Sequence, residues 1–457
     1  MTEDAELRLT QIADLSWMMQ NERGLILHDP GVGKTPPVCA YMWWMWTVHQ
    51  TGTVWIMPKS LLKKNKAELL RFSGFKDDEV TIVDGTPQQR EQQINHPSVV
   101  FLMGPKRFAD EEKRLKQLWP FLNVIVVDEL QLSYISWDSK RTQALYEATL
   151  YRYKYFFAMT GTIIKGKLST AFSAIQIIEP RYYGTPNGFL NNHAVRDGYG
   201  TVIGWTNHEK LARIFATHGI RRTFRQEYGE EAKVIQLAEV DLDDVHKEIY
   251  KEWHEKAMLE LEGSFLNAPN AAVHAMRARQ ILAHPETFLI PKMAGRITAR
   301  DERLITEFED VKYAGERYVV FSCFVAEVER IKRLAEKVGL RAGMLHGGVS
   351  SNKRADIELD FREGRLDVLS VNPIVAGIGY NWPFLQRCGF ASLDYGDDSF
   401  VQAYKRGIRG IRETDLLINI FGYRNTIDWR IRHIIEAKSI DAHKVDPTVD
   451  ILRLNAS

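Results

Sequence analysis

A glycine-spaced turn carrying a lysine and a threonine closes the apolar run in Gly24-Leu25-Ile26-Leu27-His28-Asp29-Pro30-Gly31-Val32-Gly33-Lys34-Thr35. Such a run reads as a buried parallel strand, and Gly-x-Gly-Lys-Thr after it is the layout of a phosphate-binding loop. Gly31 and Gly33 let the backbone approach phosphates, and the N–H groups that follow point at them from a helix N-terminus. Lys34 is placed to reach the β- and γ-phosphates and the Thr35 hydroxyl to hold Mg²⁺. His28 stands where such loops usually lead with glycine. A second group, Asp128-Glu129, ends the apolar run Val124-Ile125-Val126-Val127. Two carboxylates at the C-terminal end of a strand downstream of a phosphate loop suit a metal ion and an attacking water, Asp128 for the metal and Glu129 for the water. A third group is Gln402-Ala403-Tyr404-Lys405-Arg406-Gly407-Ile408-Arg409. Arg406 and Arg409 are one helical turn apart and share a face. In a region with no phosphate loop of its own, such a pair suits a clamp on the transition-state charge of a neighbour's nucleotide.

These groups need strands that end together and helices that start where the strands stop. Val54-Trp55-Ile56-Met57, Val99 to Met103, Val124 to Val127 and Tyr155 to Met159 read as such strands. A helical pattern leads into the phosphate loop. Another follows it, where Pro36 and Pro37 are tolerated because a helix's first turn lacks intrahelical N–H partners. Tyr41-Met42-Trp43-Trp44-Met45-Trp46 is apolar on every side, so it reads as a helix buried against the sheet. Lys59, Lys63, Lys64 and Lys66 read as a solvated helix face. The alternation predicts one parallel sheet with helices on both faces. Residues 181–207, rich in Gly, Asn and aromatics, read as a long irregular excursion or hairpin. Residues 207–262 and 271–284 read as helices, with Arg221-Arg222 in a basic patch. A second series begins at Tyr318 to Ser322. It continues through a helix over 325–338, a short segment at 341–346, a helix near 353–361, a strand over 366–371 and a strand near 391–394.

A chain of 457 residues suits two domains plus an insertion. Its 45% hydrophobic and 26% charged residues are ordinary for a globular protein. Three cysteines without paired spacing argue for a reducing compartment and against a disulfide framework or zinc site. The polar first ten residues show no signal peptide, and no run is long enough to cross a bilayer, so a cytoplasmic protein without membrane contact is expected. A net charge of +1 gives no global nucleic-acid signature, though a local basic stripe remains compatible with one.

In order, the motifs resemble those of superfamily 2 helicases, and within them the Swi/Snf-type DNA translocases and their compact phage relatives. Leu7-Arg8-Leu9-Thr10-Gln11 resembles Leu-Arg-Pro-x-Gln, and residues 28–35 resemble Asp-Glu-Met-Gly-Leu-Gly-Lys-Thr. Asp128-Glu129-Leu130-Gln131 resembles Asp-Glu-x-His, and Met159-Thr160-Gly161-Thr162 resembles Leu-Thr-Gly-Thr. Ile220-Arg221-Arg222 and His284-Pro285 fall where the family carries Leu-Arg-Arg and His-Pro. Gly377 to Asn381 resembles Gly-Leu-Gly-Ile-Asn, and Gln402 to Arg409 resembles Gln-Ala-x-x-Arg-x-x-Arg. Gln131 replaces the usual His, so the link between nucleotide and DNA sites is expected to be built differently. Asn372-Pro373 stand in a Ser-Thr place. Chromodomain, bromodomain and SANT-like segments are missing, so chromatin is not the expected target.

The resemblance implies an α/β fold of two RecA-like parallel-sheet lobes, with lobe one over 1–167, a helical insertion over 168–300 and lobe two over 301–457. It implies an ATP hydrolase using ATP and Mg²⁺, with nucleotide contacts from Gln11 (reading adenine), Gly31, Val32, Gly33, Lys34, Thr35, Gly379 and Gln402. Thr35 and Asp128 would hold the metal, while Lys34, Asp128, Glu129, Arg406 and Arg409 would carry the chemistry. DNA backbone contacts fall to Pro58, Lys59, Ser60, Lys106, Thr160, Gly377 and Asn381. Such contacts carry little sequence information. The expected function is ATP-dependent tracking on DNA that remodels branched structures, such as Holliday junctions or forks, in recombination, repair or replication. Proteins of recombination or replication are the possible partners, and a phage-encoded protein would act in the bacterial host's cytoplasm. An RNA helicase shares the core motifs, but Leu-Arg-Arg and His-Pro resemble the DNA translocases. A nucleotide-gated scaffold without turnover is the third reading, and the intact Lys34, Thr35, Asp128, Glu129, Arg406 and Arg409 speak against it.

Overall fold

The computed structural model describes residues 6–161, 168–180, 182–252, 268–288, 293, 295–376, 380–408 and 412–454. The chain forms two compact units, Met1–Glu230 with Asp441–Asp450, and Glu231–Ile440 with Ile451–Ser457.

In the first unit, β1 (Arg23–Ile26), β2 (Gly52–Ile56), β3 (Val80–Val83), β4 (Val100–Met103), β5 (Leu122–Asp128) and β6 (Tyr155–Met159) are followed by a hairpin, β7 (Ala194–Arg196) and β8 (Val202–Trp205), and by β9 (Gly219–Ile220). Seven of these make one parallel sheet in the order β3-β4-β2-β5-β6-β1-β9. A parallel sheet is covered on both faces, which is why its strands read as continuous apolar runs. Val54, Trp55, Ile56, Phe101, Ile125, Phe156 and Phe157 are all fully buried. The helix Thr35–His49 begins directly at the phosphate loop with Pro36 and Pro37 in its first turn. Trp43 packs edge-on to Phe75 and Trp46 lies against Phe121, so these tryptophans pack on the protein itself. The lysines after β2 are paired on the surface, Lys59 with Asp84 (2.6 Å) and Lys66 with Asp77 (3.0 Å).

In the second unit, β10 (Lys233–Val240), β11 (Tyr318–Phe321), β12 (Ala342–Leu345), β13 (Val368–Val371), β14 (Arg387–Phe390) and β15 (Leu416–Tyr423) form a second all-parallel sheet, ordered β10-β15-β14-β11-β13-β12. Two parallel-sheet α/β units are thus the fold class the sequence implies.

Two expectations need correction. Residues 207–262 are not continuously helical: the helices His208–His218 and Phe224–Tyr228 flank β9, and β10 follows them. Lys233-Val-Ile-Gln-Leu-Ala-Glu-Val is rich in β-branched residues and half-exposed, the pattern of an edge strand. The strand expected near 391–394 lies at Arg387–Phe390 instead. Gly389 splits its apolar signal, and glycine is needed there because a Cβ would stand 2.3 Å from the Tyr318 hydroxyl oxygen. Residues 168–230 contribute β9 to the first sheet and belong to the first unit. No helix among the described residues is long and apolar enough to cross a membrane.

Candidate nucleotide site

Because β1 and β5 are parallel members of one sheet, their C-terminal ends lie on one edge, where α/β sheets bind ligands. The loop after β1 turns through Gly31 (φ 91°) and Gly33 (φ 89°), left-handed values that other residues reach only at a cost. Gly33 is also cramped, since a Cβ there would meet Gln11 Nε2 at 2.8 Å and Arg8 Nη2 at 2.9 Å. Val32 N–H is used within the turn, on the Asp29 carbonyl (3.3 Å). Pro36 and Pro37 have no N–H to offer, so the donors for an anion at this helix start come from residues 33–35. Lys34 Nζ donates to the His28 carbonyl (2.9 Å), which turns its ammonium back over the loop.

The loop is held from behind by residues the sequence reading assigned no such role. The Leu9–Gln20 helix buries Gln11, Asp14 and Met18 while Leu9 is 85% exposed, an inversion of ordinary amphipathicity. Gln11 Nε2 donates to the Gly33 carbonyl (3.1 Å), and Arg8 donates to the Val32 carbonyl and to the Tyr228 hydroxyl (2.6 Å). Asp14 Oδ2 lies 2.8 Å from His28 Nε2, and Asp14 Oδ1 accepts from Arg222 Nε (2.7 Å). Burial pulls the His28 pKa down, against the hydrogen bond to Asp14, so a neutral ring donates through Nε2. Arg221 pairs with Asp29 (2.7 Å) and Asp446 (2.8 Å) and donates to the Leu27 carbonyl. Arg221-Arg222 is therefore not a free basic patch: each guanidinium neutralises a carboxylate beneath the phosphate loop. Burying these carboxylates without such partners would cost several kcal/mol. The signal that points to Asp14 is its spacing, three residues after Gln11 and four before Met18, on the helix's buried face.

Asp128, the last residue of β5, accepts from Asn65 Nδ2 (3.0 Å). Burial first, then the neighbouring Glu129 carboxylate, push its pKa up to about 6, while Asn65, Lys34 and Lys64 oppose the rise. Glu129 sits at φ 53°, ψ 55°, left-handed geometry costing ~1 kcal/mol. Gln131 Nε2 donates to Glu129 Oε2, and Gln131 Oε1 accepts from the Thr160 hydroxyl (2.5 Å). Thr160 is 1% exposed, and its N–H donates to the Ile26 carbonyl (3.1 Å). It offers no surface to DNA, contrary to expectation. It sits at the end of β6, between β1 and β5, and joins Gln131 to the strand that carries the phosphate loop. Gln131, which stands where the resembled motif carries histidine, thus joins Glu129 to Thr160 with an amide that donates on one side and accepts on the other.

A cation bound here would take the Thr35 hydroxyl and the Asp128 carboxylate as its protein ligands. Few protein ligands of this kind suit Mg²⁺, which keeps waters and binds largely through phosphate oxygens. The loop glycines and Lys34 likewise fit a polyphosphate. With the Asp128 pKa raised to about 6, binding of Mg²⁺ by that carboxylate would require about tenfold more Mg²⁺ for half-maximal hydrolysis at pH 5 than at pH 7. The sign for folding follows from the same shift. A carboxylate whose pKa is raised from 3.8 to about 6 in the folded state withdraws stability, about 3 kcal/mol in all, as pH rises through that window. Asp128→Asn should therefore melt higher than the parent at pH 8 and lose most of that advantage at pH 4, measured by thermal denaturation. An equal or lower melting temperature at pH 8 would remove Asp128 from this buried, charge-strained role.

Of the exposed-contact candidates in the first unit, Pro58 is half-buried and Lys59, Ser60 and Lys106 are exposed. In the second unit Asn381 is exposed, Gln402 is 8% exposed and Arg406 is 7% exposed. Arg406 Nη1 donates to the Tyr380 carbonyl (3.2 Å), bracing the segment that follows Gly379. Gly377, Gly379 and Arg409 lie outside the described residues. The Arg300–Glu327 pair (2.7 Å), unforeseen from sequence, organises the C-terminal ends of β11 and β14. Arg300 also donates to the Ala391 carbonyl (2.8 Å), and the Ser322 and Ser392 hydroxyls donate to Glu327 (2.5 Å each). His284 is buried edge-on to Phe324, and burial lowers its pKa to about 4.

The family model of the SNF2-related domain matches residues 10–287, and that of the helicase conserved C-terminal domain matches residues 300–410. Together they describe an ATPase core of the helicase and translocase type. The chain is 20% identical over 438 residues to the SWI/SNF chromatin-remodeling complex subunit snf22 of Schizosaccharomyces pombe, covering 87% of this chain. It spans about a quarter of that relative's length, 25%. Among solved structures, the Sulfolobus solfataricus SWI2/SNF2 ATPase core in complex with dsDNA is 19% identical with a TM-score of 0.44, covering 98% of both chains. The Sulfolobus solfataricus SWI2/SNF2 ATPase core domain is 18% identical with a TM-score of 0.42, covering 95% of this chain and 89% of that one.

Proposed function

The chain belongs to the SNF2-related domain family, and on that premise we propose that it is an ATP-driven motor that tracks on DNA and remodels branched structures. The observation that carries the reading is the chain of hydrogen bonds from Glu129 through Gln131 to Thr160 and on to β1. A residue that handles the attacking water is wired to the strand bearing the phosphate loop, as an enzyme that converts hydrolysis into movement requires. In this proposal Gln11, Gly31, Val32, Gly33, Lys34 and Thr35 hold ATP, and Thr35 with Asp128 holds Mg²⁺. Glu129 orients the water, and Arg406 and Arg409 stabilise charge on the transferring phosphoryl group, with Gly379 and Gln402 as further nucleotide contacts. Pro58, Lys59, Ser60, Lys106, Gly377 and Asn381 touch the DNA backbone, so sequence preference is small and affinity falls steeply with salt. We place the motor in the cytoplasm, working beside proteins of recombination or replication.

Branched substrates follow from energetics. Moving a junction breaks one base pair for each one formed, whereas opening plain duplex costs about 1.4 kcal/mol per step. The test gives the protein mobile four-way junctions, heterologous junctions that cannot migrate, and tailed linear duplexes of matched length. ATP-dependent resolution of the mobile junction alone is expected. Efficient unwinding of the linear duplex, with no preference for the mobile junction, contradicts the branched-substrate reading and leaves a conventional helicase.

A further inference from the structure

We propose that the β7–β8 hairpin of the first unit is a binding site for an unpaired nucleobase, with Tyr199 as the stacking platform and Arg196 as the phosphate contact. The proposal rests on the DNA-motor reading above and deepens it. The aromatics of residues 181–207 divide into two groups. Tyr183, Phe189 and Trp205 pack on the core, with Phe189 1% exposed, and Tyr182, 43% exposed, lies edge-on to Tyr183 under Lys210. His193 joins the Tyr183 hydroxyl (2.6 Å) to the Thr206 carbonyl (3.2 Å), which fixes the base of the hairpin. Tyr199, at the tip, is 98% exposed.

The tip is nonetheless ordered. Asp197 Oδ1 accepts from the N–H groups of Tyr199 (3.0 Å) and Thr201 (2.8 Å), and Asp197 N–H donates to the Thr201 carbonyl (3.0 Å). Gly200 closes the turn at φ 82°. A Cβ at Gly198 or Gly200 would meet nothing within 4 Å, so the flanks of the ring are open. Ordering the backbone in advance reduces the entropy lost when a flat ligand stacks. The side chain of Arg196, exposed one residue before the turn, makes no ion pair or hydrogen bond among the described residues. An accessible ring and an unpaired cation on one hairpin complement a base with its phosphate, and stacking tolerates any base because each has a π-face.

The test uses the full chain without nucleotide and a forked DNA carrying 2-aminopurine at the first unpaired position, alongside a blunt duplex. Fork binding by the parent should quench the probe. Tyr199→Ala should weaken fork affinity about 5- to 10-fold and abolish the quench, with blunt-duplex affinity unchanged. Tyr199→Trp should restore both, because the indole stacks as well. Fork affinity and quench in Tyr199→Ala equal to the parent's overturn the proposal, as does a change confined to self-association in sedimentation. DNA-stimulated ATPase, measured on the same proteins, judges the motor separately. Lost quench with no DNA-stimulated turnover keeps the base site and removes the motor, and retained quench with stimulated turnover does the reverse.

Discussion

Lys34→Ala is expected to abolish ATP hydrolysis with loss of nucleotide binding, and Glu129→Gln to bind ATP normally and barely hydrolyse it. The two differ because the side chains meet different parts of the reaction. Lys34 is the one cation of the phosphate loop, and its ammonium already lies over that loop at the His28 carbonyl. Glu129 is held by Gln131 at the end of β5, one residue beyond Asp128. A glutamine there keeps an oxygen to accept from Gln131 but cannot take the proton of the attacking water. The expected loss in kcat is ~10²- to 10⁴-fold, the range for a general base. Equilibrium binding of a fluorescent ATP analogue, with single-turnover hydrolysis beside it, separates the two effects. Near-normal turnover in Glu129→Gln would remove that residue from the chemistry.

Arg406→Ala and Arg409→Ala are each expected to reduce kcat by ~10³-fold or more while changing nucleotide affinity much less, the pattern of a clamp on transition-state charge. Lysine should not rescue either position, since it lacks the planar fork that engages phosphoryl oxygens. Arg406 has a second consequence, because it also donates to the Tyr380 carbonyl from a largely buried position. Arg406→Ala should therefore lower the second unit's melting temperature as well as the rate. Hydrolysis at the parental rate in both variants would show that the arginines act elsewhere.

The local structure around the candidate chemical groups was the most legible part of the sequence. A phosphate loop and a strand-end Asp-Glu consist of adjacent residues, and their spacing alone constrains what they can do. The helix through Pro36 and Pro37, and the buried runs of β2, β4, β5 and β6, were legible for the same local reason. What escaped was long-range. Asp14 reaches Arg222 across more than two hundred residues, and nothing adjacent to either announces the pair. β9 is two residues long and β10 is an edge strand with a half-exposed pattern, so neither produces the continuous apolar run that marked the others. Thr160 read as a surface contact because its motif resembles one that contacts DNA. Its place in the middle of a seven-stranded sheet buries it and turns its hydroxyl to Gln131. The substitution of Gln131 for histidine was visible at once, but that an amide could serve both Glu129 and Thr160 became clear only from their positions in space.

The central claim is that hydrolysis at this site is coupled to DNA. The most direct measurement is the steady-state ATPase rate of the full chain, without nucleic acid and with single-stranded DNA, duplex DNA, a four-way junction or RNA, at low and high salt. Stimulation by duplex and junction DNA that fades as salt rises, with little or none by RNA, is the predicted result. Equal or greater stimulation by RNA, or a rate indifferent to every nucleic acid, would contradict it.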